Sequence, residues 1–318
     1  MTRLRIVFFG TPGFAVPTLR DIRAAGYDVA AAVTQPDRPR GRGQKPGPGP
    51  IKAFAEEHGL RVLQPDRLRD EGFLGAFASL APDLGVVAAY GKILPAAVLA
   101  VPRLGLINVH ASILPRWRGA SPIHRAVMAG DAETGVSIMR VVQALDAGGV
   151  FAQARRPIGT EETSEDVARD LAELGARLIL PVIDALFAGT ASEVAQEDSL
   201  VTYAPPLTRE DGAIAWTAPA EVIHNQVRGL HPWPHAVTTL QGARVIVLRT
   251  SLAPRPIVPP GDAHAGEVLA IDRDAIVVQT GDGRPIGLVH LQAEGRRALG
   301  ARAFAAGARL QPGARFGA

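Results

Sequence analysis

Two patterns of hydrophobic residues divide the chain near residue 200. In the first part, short continuous apolar runs alternate with segments whose apolar residues recur at helical spacing. Continuous apolar runs between helices are typical of parallel strands that are buried on both faces. The runs that we expect to form strands are residues 5–9, 29–33, 84–89 and 106–109. The pattern therefore predicts a doubly wound α/β domain, with ligands bound beyond the carboxyl ends of its strands.

The helical spacing of the first part is clearest in two segments. Residues 51–58 form one of them, and a longer helix is expected from Thr163 or Ser164 to about Phe187. Thr and Ser cap helices because their hydroxyl groups accept hydrogen bonds from backbone N–H groups of the first turn. The start of the long helix is therefore the better defined of its two ends.

The second part of the chain changes to short strands after one helix at residues 220–229. Short alternating segments, bounded by turns such as Asp282-Gly283, predict these strands. They cover residues 236–240, 245–248, 268–271, 275–279 and 288–291. Strands of this length in this number indicate a small β-barrel, and the four prolines within residues 254–261 indicate a surface loop.

Length and composition fit a soluble enzyme of two domains. The chain has 318 residues, and 47% of them are hydrophobic. We expect a Rossmann-like catalytic domain with a parallel sheet at residues 1–190, a linker at 191–208 and the barrel domain at 209–318. No apolar run approaches the roughly 18 residues of a membrane span. The first residues lack the pattern of a signal peptide, so we expect a cytoplasmic protein without membrane contact.

The absence of cysteine limits the possible chemistry. With no Cys in the sequence, a thiolate nucleophile, a disulfide and a thiolate metal site are excluded. The segment 10–13 (GTPG) follows the first strand but lacks the third glycine of the dinucleotide fingerprint, which argues against a nicotinamide enzyme. His231 and His235 flank Trp233 between prolines, and we interpret them as part of an anchored domain junction rather than as metal ligands.

Asn108, His110 and Asp146 are the strongest candidates for catalysis. Asn108 and His110 lie two residues apart at the end of an expected strand, so they face the same side. An amide can stabilise an oxyanion, an imidazole can donate a proton and a carboxylate can accept one, which together suit acyl transfer to an amine. A capped turn with a satisfied histidine is the alternative. The polar and aromatic loop at residues 112–119 favours catalysis, because α/β proteins bind ligands on such loops.

A basic segment follows the second expected strand. It contains five cations, which are Arg38, Arg40, Arg42, Lys45 and Lys52. No acidic residue lies between Arg38 and Glu56. Five Pro and four Gly within residues 36–50 predict an exposed loop without regular helix or strand. Such a loop either binds a phosphate backbone, where Arg and Lys displace counterions, or is a solvated loop with no partner.

Several separated segments resemble the folate-dependent formyltransferases. The central one is residues 110–123 (HASILPRWRGASPI), and further matches are residues 8–12, 33–39, 203–205 and 232–234. The resemblance extends over almost the whole chain. It is strongest to the members of that family that formylate the methionine carried by initiator tRNA.

This resemblance implies a role for specific residues. Asn108, His110 and Asp146 match the catalytic trio of the family. The segment that contacts tetrahydrofolate is matched by Ser112, Ile113, Leu114 and Pro115. The insertion that contacts the acceptor stem of tRNA is matched by the loop with Arg38, Arg40, Arg42 and Lys45. The resemblance implies that Arg42 is the most important of these residues for tRNA binding.

The resemblance also implies the partners and the second domain. It predicts 10-formyltetrahydrofolate as co-substrate, initiator methionyl-tRNA as acceptor, no metal, a monomer and an OB-like C-terminal barrel that binds tRNA. Two departures from the family pattern are Ile113 in place of Leu and Ala147-Gly148-Gly149 in place of Thr-Gly-Asp. The second removes a carboxylate close to Asp146.

Three alternatives remain at this point. A sugar-nucleotide N-formyltransferase shares the catalytic domain and the folate donor, but its relatives typically lack the basic insertion. A glycinamide ribonucleotide formyltransferase would leave about the last hundred residues without a function. An RNA-binding module on an inactive scaffold would bind tRNA without turnover, and the intact candidate trio argues against it.

Overall fold

The computed structural model describes residues 4–40, 45–252 and 263–317. The fold divides into two compact units. The first comprises Met1–Pro122, Glu133–Arg156 and Ala168–Ala204, and the second comprises Ile123–Ala132, Pro157–Val167 and Pro205–Ala318. The expected proline-rich loop at residues 254–261 lies outside the described residues.

The first unit alternates strands and helices. Its strands are β1 (Arg5–Gly10), β2 (Asp28–Val33), β3 (Arg38–Arg40), β4 (Lys45–Gly47), β5 (Val62–Leu63), β6 (Leu84–Ala88), β7 (Leu106–His110), β8 (Arg118–Gly119), β9 (Glu133–Arg140), β10 (Val150–Pro157) and β11 (Tyr203–Ala204). Its helices are α1 (Val16–Ala24), α2 (Pro50–Glu57), α3 (Glu71–Ser79), α4 (Ala96–Leu99) and most of α6 (Ser164–Ala188), whereas most of α5 (Pro122–Met128) belongs to the second unit.

A mixed, mainly parallel sheet forms the centre of the first unit. Among the described strands, its order is β10-β9-β7-β6-β1-β2-β5. The strands from β7 to β5 pair in parallel, and β9 runs antiparallel to β7. Aromatic rings of α3 pack against this sheet, where Phe77 meets Phe9 edge to face. The predicted α/β domain is confirmed, and the four expected strands differ from the observed ones by single residues at their ends.

Hydrogen bonds join the carboxyl ends of β1, β2 and β6. Thr11 follows β1 and donates its hydroxyl to the carbonyl oxygen of Tyr90 at 3.2 Å, and Gln35 follows β2 and donates its amide to the same oxygen at 2.8 Å. Tyr90 itself is buried, and burial raises the pKa of its phenol to about 12, so the ring is neutral. The loops at this edge of the sheet, where β7 also ends, therefore have a fixed backbone.

The segment that follows β2 corrects one prediction. We expected residues 36–50 to exclude strands, but β3 and β4 form an antiparallel pair in which Pro39 lies opposite Pro46. Proline interrupts a ladder only where its N–H would have donated, and opposite residues of an antiparallel pair alternate between bonded and non-bonded positions. Two facing prolines occupy a non-bonded position, so the isolated pair tolerates both. Arg42 lies outside the described residues.

The part of α6 that belongs to the second unit begins at the predicted residues. Thr163 caps α6: its hydroxyl accepts the N–H of Asp166, and its own N–H donates to the Asp166 carboxylate at 3.1 Å. The unit continues with α7 (Ala220–Gly229), β12 (Ala236–Leu240), β13 (Ala243–Ser251), β14 (Val268–Ile271), β15 (Ile276–Gln279), β16 (Pro285–Ala293), β17 (Leu299–Gly300) and α8 (Ala301–Ala308).

The strands of the second unit form an antiparallel sheet in the order β12-β13-β16-β15-β14, with β17 paired to β16. Its core includes Trp216, Phe304 and Phe316. Pairing among the described strands does not close this sheet into a barrel. The pattern of residues 245–248 underestimated β13, because this strand pairs with β12 and β16 and contains bulges that break its alternation. None of the described helices is long and apolar enough to cross a membrane.

Candidate active site

The end of β7 brings Asn108 and His110 to the carboxyl edge of the first unit's sheet. The apolar residues of β7 are buried between β6 and β9, so the position of the strand is set by core packing. The side chain of His110 is 5% exposed. Asn108 is half-buried, and in the described part of the chain its side-chain amide has no hydrogen-bond partner. A half-buried amide of this kind is able to bind a group that is not part of the fold.

His110 lies between a carbonyl oxygen and a carboxylate. Its Nε2 is 3.0 Å from the carbonyl oxygen of Trp117, and its Nδ1 is 3.7 Å from Oδ2 of Asp146. A carbonyl oxygen only accepts, so Nε2 carries a hydrogen and the ring orientation is fixed. Nδ1 then faces Asp146 at a distance beyond a direct hydrogen bond. The structure thus brings together the histidine and the carboxylate of the predicted trio.

Asp146 is held by the backbone of β8. The N–H of Gly119 donates to Oδ2 of Asp146 at 2.8 Å, a hydrogen bond to an ionised acceptor. Gly119 has a φ of +124°, and a Cβ there would lie 2.6 Å from the carbonyl oxygen of Ala204. Glycine is therefore required at this position, and the close pairing of β8 with β11 places its N–H against the carboxylate.

The predicted folate segment, residues 112–115, continues directly from β7 as a rigid loop. The hydroxyl of Ser112 donates to the carbonyl of Arg116 at 2.6 Å, and the N–H of Leu114 donates to the hydroxyl of Ser137 at 3.1 Å. Ser112 and Leu114 are buried, whereas Ile113 and Pro115 are half-buried. The loop therefore has a fixed backbone, and its surface next to the trio is largely apolar.

Within Ala147-Gly148-Gly149, Gly148 matches the glycine of the family's Thr-Gly-Asp, and Gly149 stands in place of its Asp. A Cβ at Gly148 would lie 2.0 Å from the carbonyl oxygen of Arg140, so no side chain fits there. A Cβ at Gly149 would lie 2.8 Å from the carboxylate of Glu193, which in turn lies 3.5 Å from the guanidinium of Arg140. A carboxylate is therefore present beside Gly149, although it comes from a residue more than 40 positions later in the chain.

Sequence reasoning missed the residues that support the trio. Ser137 lies on β9 opposite His110 and donates its hydroxyl to the carbonyl of Ser112 at 2.7 Å. Gln153 donates to the carbonyl of Leu114 at 2.9 Å. A serine within the apolar run of β9 was a usable signal for Ser137. Gln153 and Gly119 offered no such signal, because their roles depend on which strands pair.

The cations of the basic segment divide into three groups, of which the first two hold the predicted tRNA-binding residues. Arg38 and Arg40 lie on β3, and Lys45 lies at the start of β4 opposite Arg40. Arg42 lies outside the described residues, in the connection between these strands. Lys52 is separate from them, because its ammonium binds the carboxylate of Asp37 at 2.5 Å. Lys52 is therefore engaged within the fold.

Models of known families match both parts of this chain. The formyl transferase model matches residues 4–183, and the model of the formyl transferase C-terminal domain matches residues 206–309. The chain belongs to the formyltransferase family. It is accordingly an enzyme of formyl transfer, and the arrangement of amide, imidazole and carboxylate at the end of β7 is the candidate active site of this formyltransferase.

Curated relatives of this formyltransferase match it along its entire length. The methionyl-tRNA formyltransferase of Moorella thermoacetica is 44% identical over 310 residues, which are 98% of this chain and 98% of that protein. The methionyl-tRNA formyltransferase of Geobacter metallireducens is 44% identical over 317 residues and covers 100% of both chains.

Solved structures show the same fold at lower identity. WlaRD, a sugar 3N-formyltransferase crystallised with dTDP and 5-N-formyl-THF, is 16% identical with a TM-score of 0.68, covering 93% of this formyltransferase and 100% of WlaRD. HypX from Aquifex aeolicus in complex with tetrahydrofolic acid is 16% identical with a TM-score of 0.65, covering 96% of this chain and 47% of HypX. At this identity the likeness concerns the fold alone.

Proposed function

We propose that this formyltransferase transfers the formyl group of 10-formyltetrahydrofolate to the α-amino group of methionine on initiator methionyl-tRNA. The observation that carries the proposal is the 44% identity, over the full length of both chains, to relatives named methionyl-tRNA formyltransferase. The reaction is an acyl transfer to an amine. It needs an oxyanion donor, a proton acceptor and a bound donor molecule.

The trio supplies the groups that acyl transfer requires. Asn108 donates its amide to the oxyanion that forms when the amine attacks the formyl carbon. His110, whose Nε2 hydrogen is bound by the carbonyl of Trp117, donates its Nδ1 hydrogen to the same oxygen in its protonated form. Asp146 orients His110 and accepts the amine proton, directly or through water. A new C–N bond then replaces the bond to the folate nitrogen, which leaves with a proton.

The loop at residues 112–115 fits the folate donor. Its backbone is fixed by Ser137 and Gln153, and its half-buried side chains Ile113 and Pro115 offer an apolar surface beside the trio. An apolar, preorganised surface suits a flat heteroaromatic ring system. Ser112 supports this loop through its bond to the carbonyl of Arg116, so we assign it a role in loop shape as well as in contact with the donor.

The acceptor tRNA is bound by cations of two regions. Arg38, Arg40, Arg42 and Lys45 lie on or between β3 and β4 and bind the phosphate backbone near the acceptor stem. The domain at residues 209–318, with an OB-like arrangement of its antiparallel sheet, provides a second contact with the tRNA. Residues 1–190 form the catalytic domain, residues 191–208 connect the two, and the enzyme acts as a cytoplasmic monomer.

A competition between acceptors tests this proposal. The purified enzyme is incubated with 10-formyltetrahydrofolate and either methionyl initiator tRNA, methionyl elongator tRNA, uncharged tRNA or a UDP-amino sugar. We expect formyl transfer to methionyl initiator tRNA only. Transfer to the sugar alone would contradict the acceptor and retain the chemistry, and tRNA binding without transfer to any acceptor would contradict the enzyme assignment for this site.

A further inference from the structure

One side chain outside the trio makes two hydrogen bonds to the loop that carries Asp146. The side-chain amide of Gln196 donates to the carbonyl oxygen of Asp146 and to that of Gly148, each at 2.8 Å. Its carbonyl oxygen accepts the Nε hydrogen of Arg118 at 3.0 Å. One amide therefore uses both hydrogens of its NH₂ group and its oxygen, which is three of the four bonds it can make.

Gln196 differs from its neighbours in the chain in its exposure to solvent. Residues 192–200 are exposed except for Gln196, which is half-buried. The backbone of this segment lies along β10 through Val194, whose N–H and carbonyl exchange hydrogen bonds with Val150 at 2.9 Å and 2.8 Å. The backbone bridge fixes the segment beside the Asp146 loop, and Gln196 is the least exposed of residues 192–200.

The loop requires such support because Asp146 adopts a strained backbone. Its φ is +46°, in the left-handed region that non-glycine residues rarely occupy. The carboxylate and the carbonyl of the same residue are both bound, the first by the N–H of Gly119 and the second by Gln196. Removing the second bond leaves the carbonyl of a strained residue without a side-chain partner.

Gln196 also connects the two sides of the His110–Asp146 pair. Arg118, which binds its oxygen, is 6% exposed and lies between Trp117, whose carbonyl faces His110, and Gly119, whose N–H binds Asp146. The amide that binds the carbonyl of Asp146 is therefore also linked, through Arg118, to the residue that binds His110 and to the residue that binds the Asp146 carboxylate. We propose that Gln196 is a positioning residue that sets the distance between His110 and Asp146. This inference rests on the proposed function, since it acts through Asp146.

Steady-state kinetics of three variants test the role of Gln196. Gln196→Ala removes the amide, and Gln196→Met retains most of the volume without a polar group in case the smaller side chain impairs folding. We expect kcat for formyl transfer to methionyl-tRNA to fall roughly 10-fold to 100-fold in both, with KM for either substrate nearly unchanged, because misplacing a catalytic group by about 1 Å has an effect of this size. Val194→Ala is the matched control: its side chain is 70% exposed, and its backbone bridge remains.

A double variant separates positioning from a general structural effect. In the Asp146→Asn background, Gln196→Ala should lower the residual rate by less than 2-fold, because a residue that acts through Asp146 has nothing left to position. An equal loss in both backgrounds, or a kcat for Gln196→Ala and Gln196→Met within 2-fold of the unmodified enzyme, would overturn the role of Gln196. Near-normal turnover of Asp146→Asn alone would instead overturn the proposed catalytic site, so the two failures are distinguishable.

Discussion

Two buried histidines, one in each unit, both have a backbone carbonyl at Nε2 and differ in the group that faces Nδ1 and in its distance. His224 lies on α7 and is 3% exposed; its Nδ1 is 2.9 Å from the hydroxyl of Thr250, and its Nε2 is 2.9 Å from the carbonyl of Thr160. His110 has a carbonyl at 3.0 Å but a carboxylate at 3.7 Å. Both nitrogens of His224 are satisfied, so it joins parts of its unit. Nδ1 of His110 has no direct hydrogen bond to the carboxylate, so it can exchange a proton, which is the property that a catalytic imidazole needs.

The largest expected difference between these sites concerns the rate of reaction. Asn108→Ala should lower kcat by about 100-fold to 1,000-fold, since it removes one oxyanion donor. The free energy of unfolding should change by less than about 0.5 kcal/mol, because the amide has no partner within the described fold. Single-turnover formyl transfer and urea unfolding of the same preparation check both numbers. A rate within 3-fold of the unmodified enzyme would remove Asn108 from the mechanism.

The second largest effect should appear at His224, and in stability instead of rate. His224→Ala leaves the hydroxyl of Thr250 and the carbonyl of Thr160 without their partner and should lower the free energy of unfolding by about 2–3 kcal/mol. The folded variant should retain its kcat. Urea unfolding monitored by circular dichroism measures the loss. If His224→Ala instead lost activity at unchanged stability, the contrast between the two histidines would be wrong.

A third prediction concerns pH and a pair of partly buried histidines in the second unit. Burial lowers the pKa of His124, assisted by the positive charge of Arg125, and burial likewise lowers the pKa of His235, assisted by His231 and Arg244. The unfolded chain therefore binds more protons than the folded one as the pH falls below 6.5, the ordinary value. The free energy of unfolding should fall between pH 7.5 and pH 5.5.

The variant His124→Gln sharpens this pH prediction. Glutamine does not titrate, so the variant should lose part of the decrease in stability between pH 7.5 and pH 5.5, whereas His264→Gln should not, since His264 is 70% exposed. Urea midpoints at the two pH values provide the measurement. Parallel pH dependence in all three proteins would show that other groups control acid stability.

The smallest effect is expected for a single cation of the β3–β4 region. Arg42→Ala should weaken binding of methionyl-tRNA modestly and decrease the slope of log K against log salt by about one contact. The kcat at saturating tRNA should not change. Arg103→Ala is the control, because Arg103 is an exposed cation that precedes β7 at the opposite edge of the sheet and pairs with Asp83. Equal salt slopes for both variants and the unmodified enzyme would argue against the role of Arg42.

Sequence patterns predicted those parts of the fold whose signal is a local periodicity of apolar residues. The apolar runs of β1, β2, β6 and β7, the cap of α6 and the helical pattern of α7 each lie within a short stretch of chain, so their signals are local. The β3–β4 pair was missed because proline content was read without the register that makes proline acceptable. The antiparallel sheet of the second unit was expected strand by strand, but closure depends on pairing between distant strands.

The residues of the candidate site also fall into those that the sequence could predict and those that it could not. Asn108 and His110 could be predicted because strand alternation places them on one face. Asp146 could be proposed as a partner from its residue type and from the family resemblance. Its backbone conformation could not be predicted. Gly119, Gln153 and Gln196 could not, because each contacts the site through a hydrogen bond across many residues of sequence.

The pairing of β8 with β11 has a consequence for the order of synthesis. Residues 202–204 hold the loop after β7: the hydroxyl of Thr202 accepts the N–H of Trp117 at 2.9 Å, and the carbonyl of the same threonine accepts the N–H of Arg118 at 2.9 Å. The groups that orient His110 and Asp146 are therefore anchored by a segment 85 residues later in the chain. A ribosome that has released only the central sheet of this enzyme carries a chain whose catalytic groups still lack their final supports.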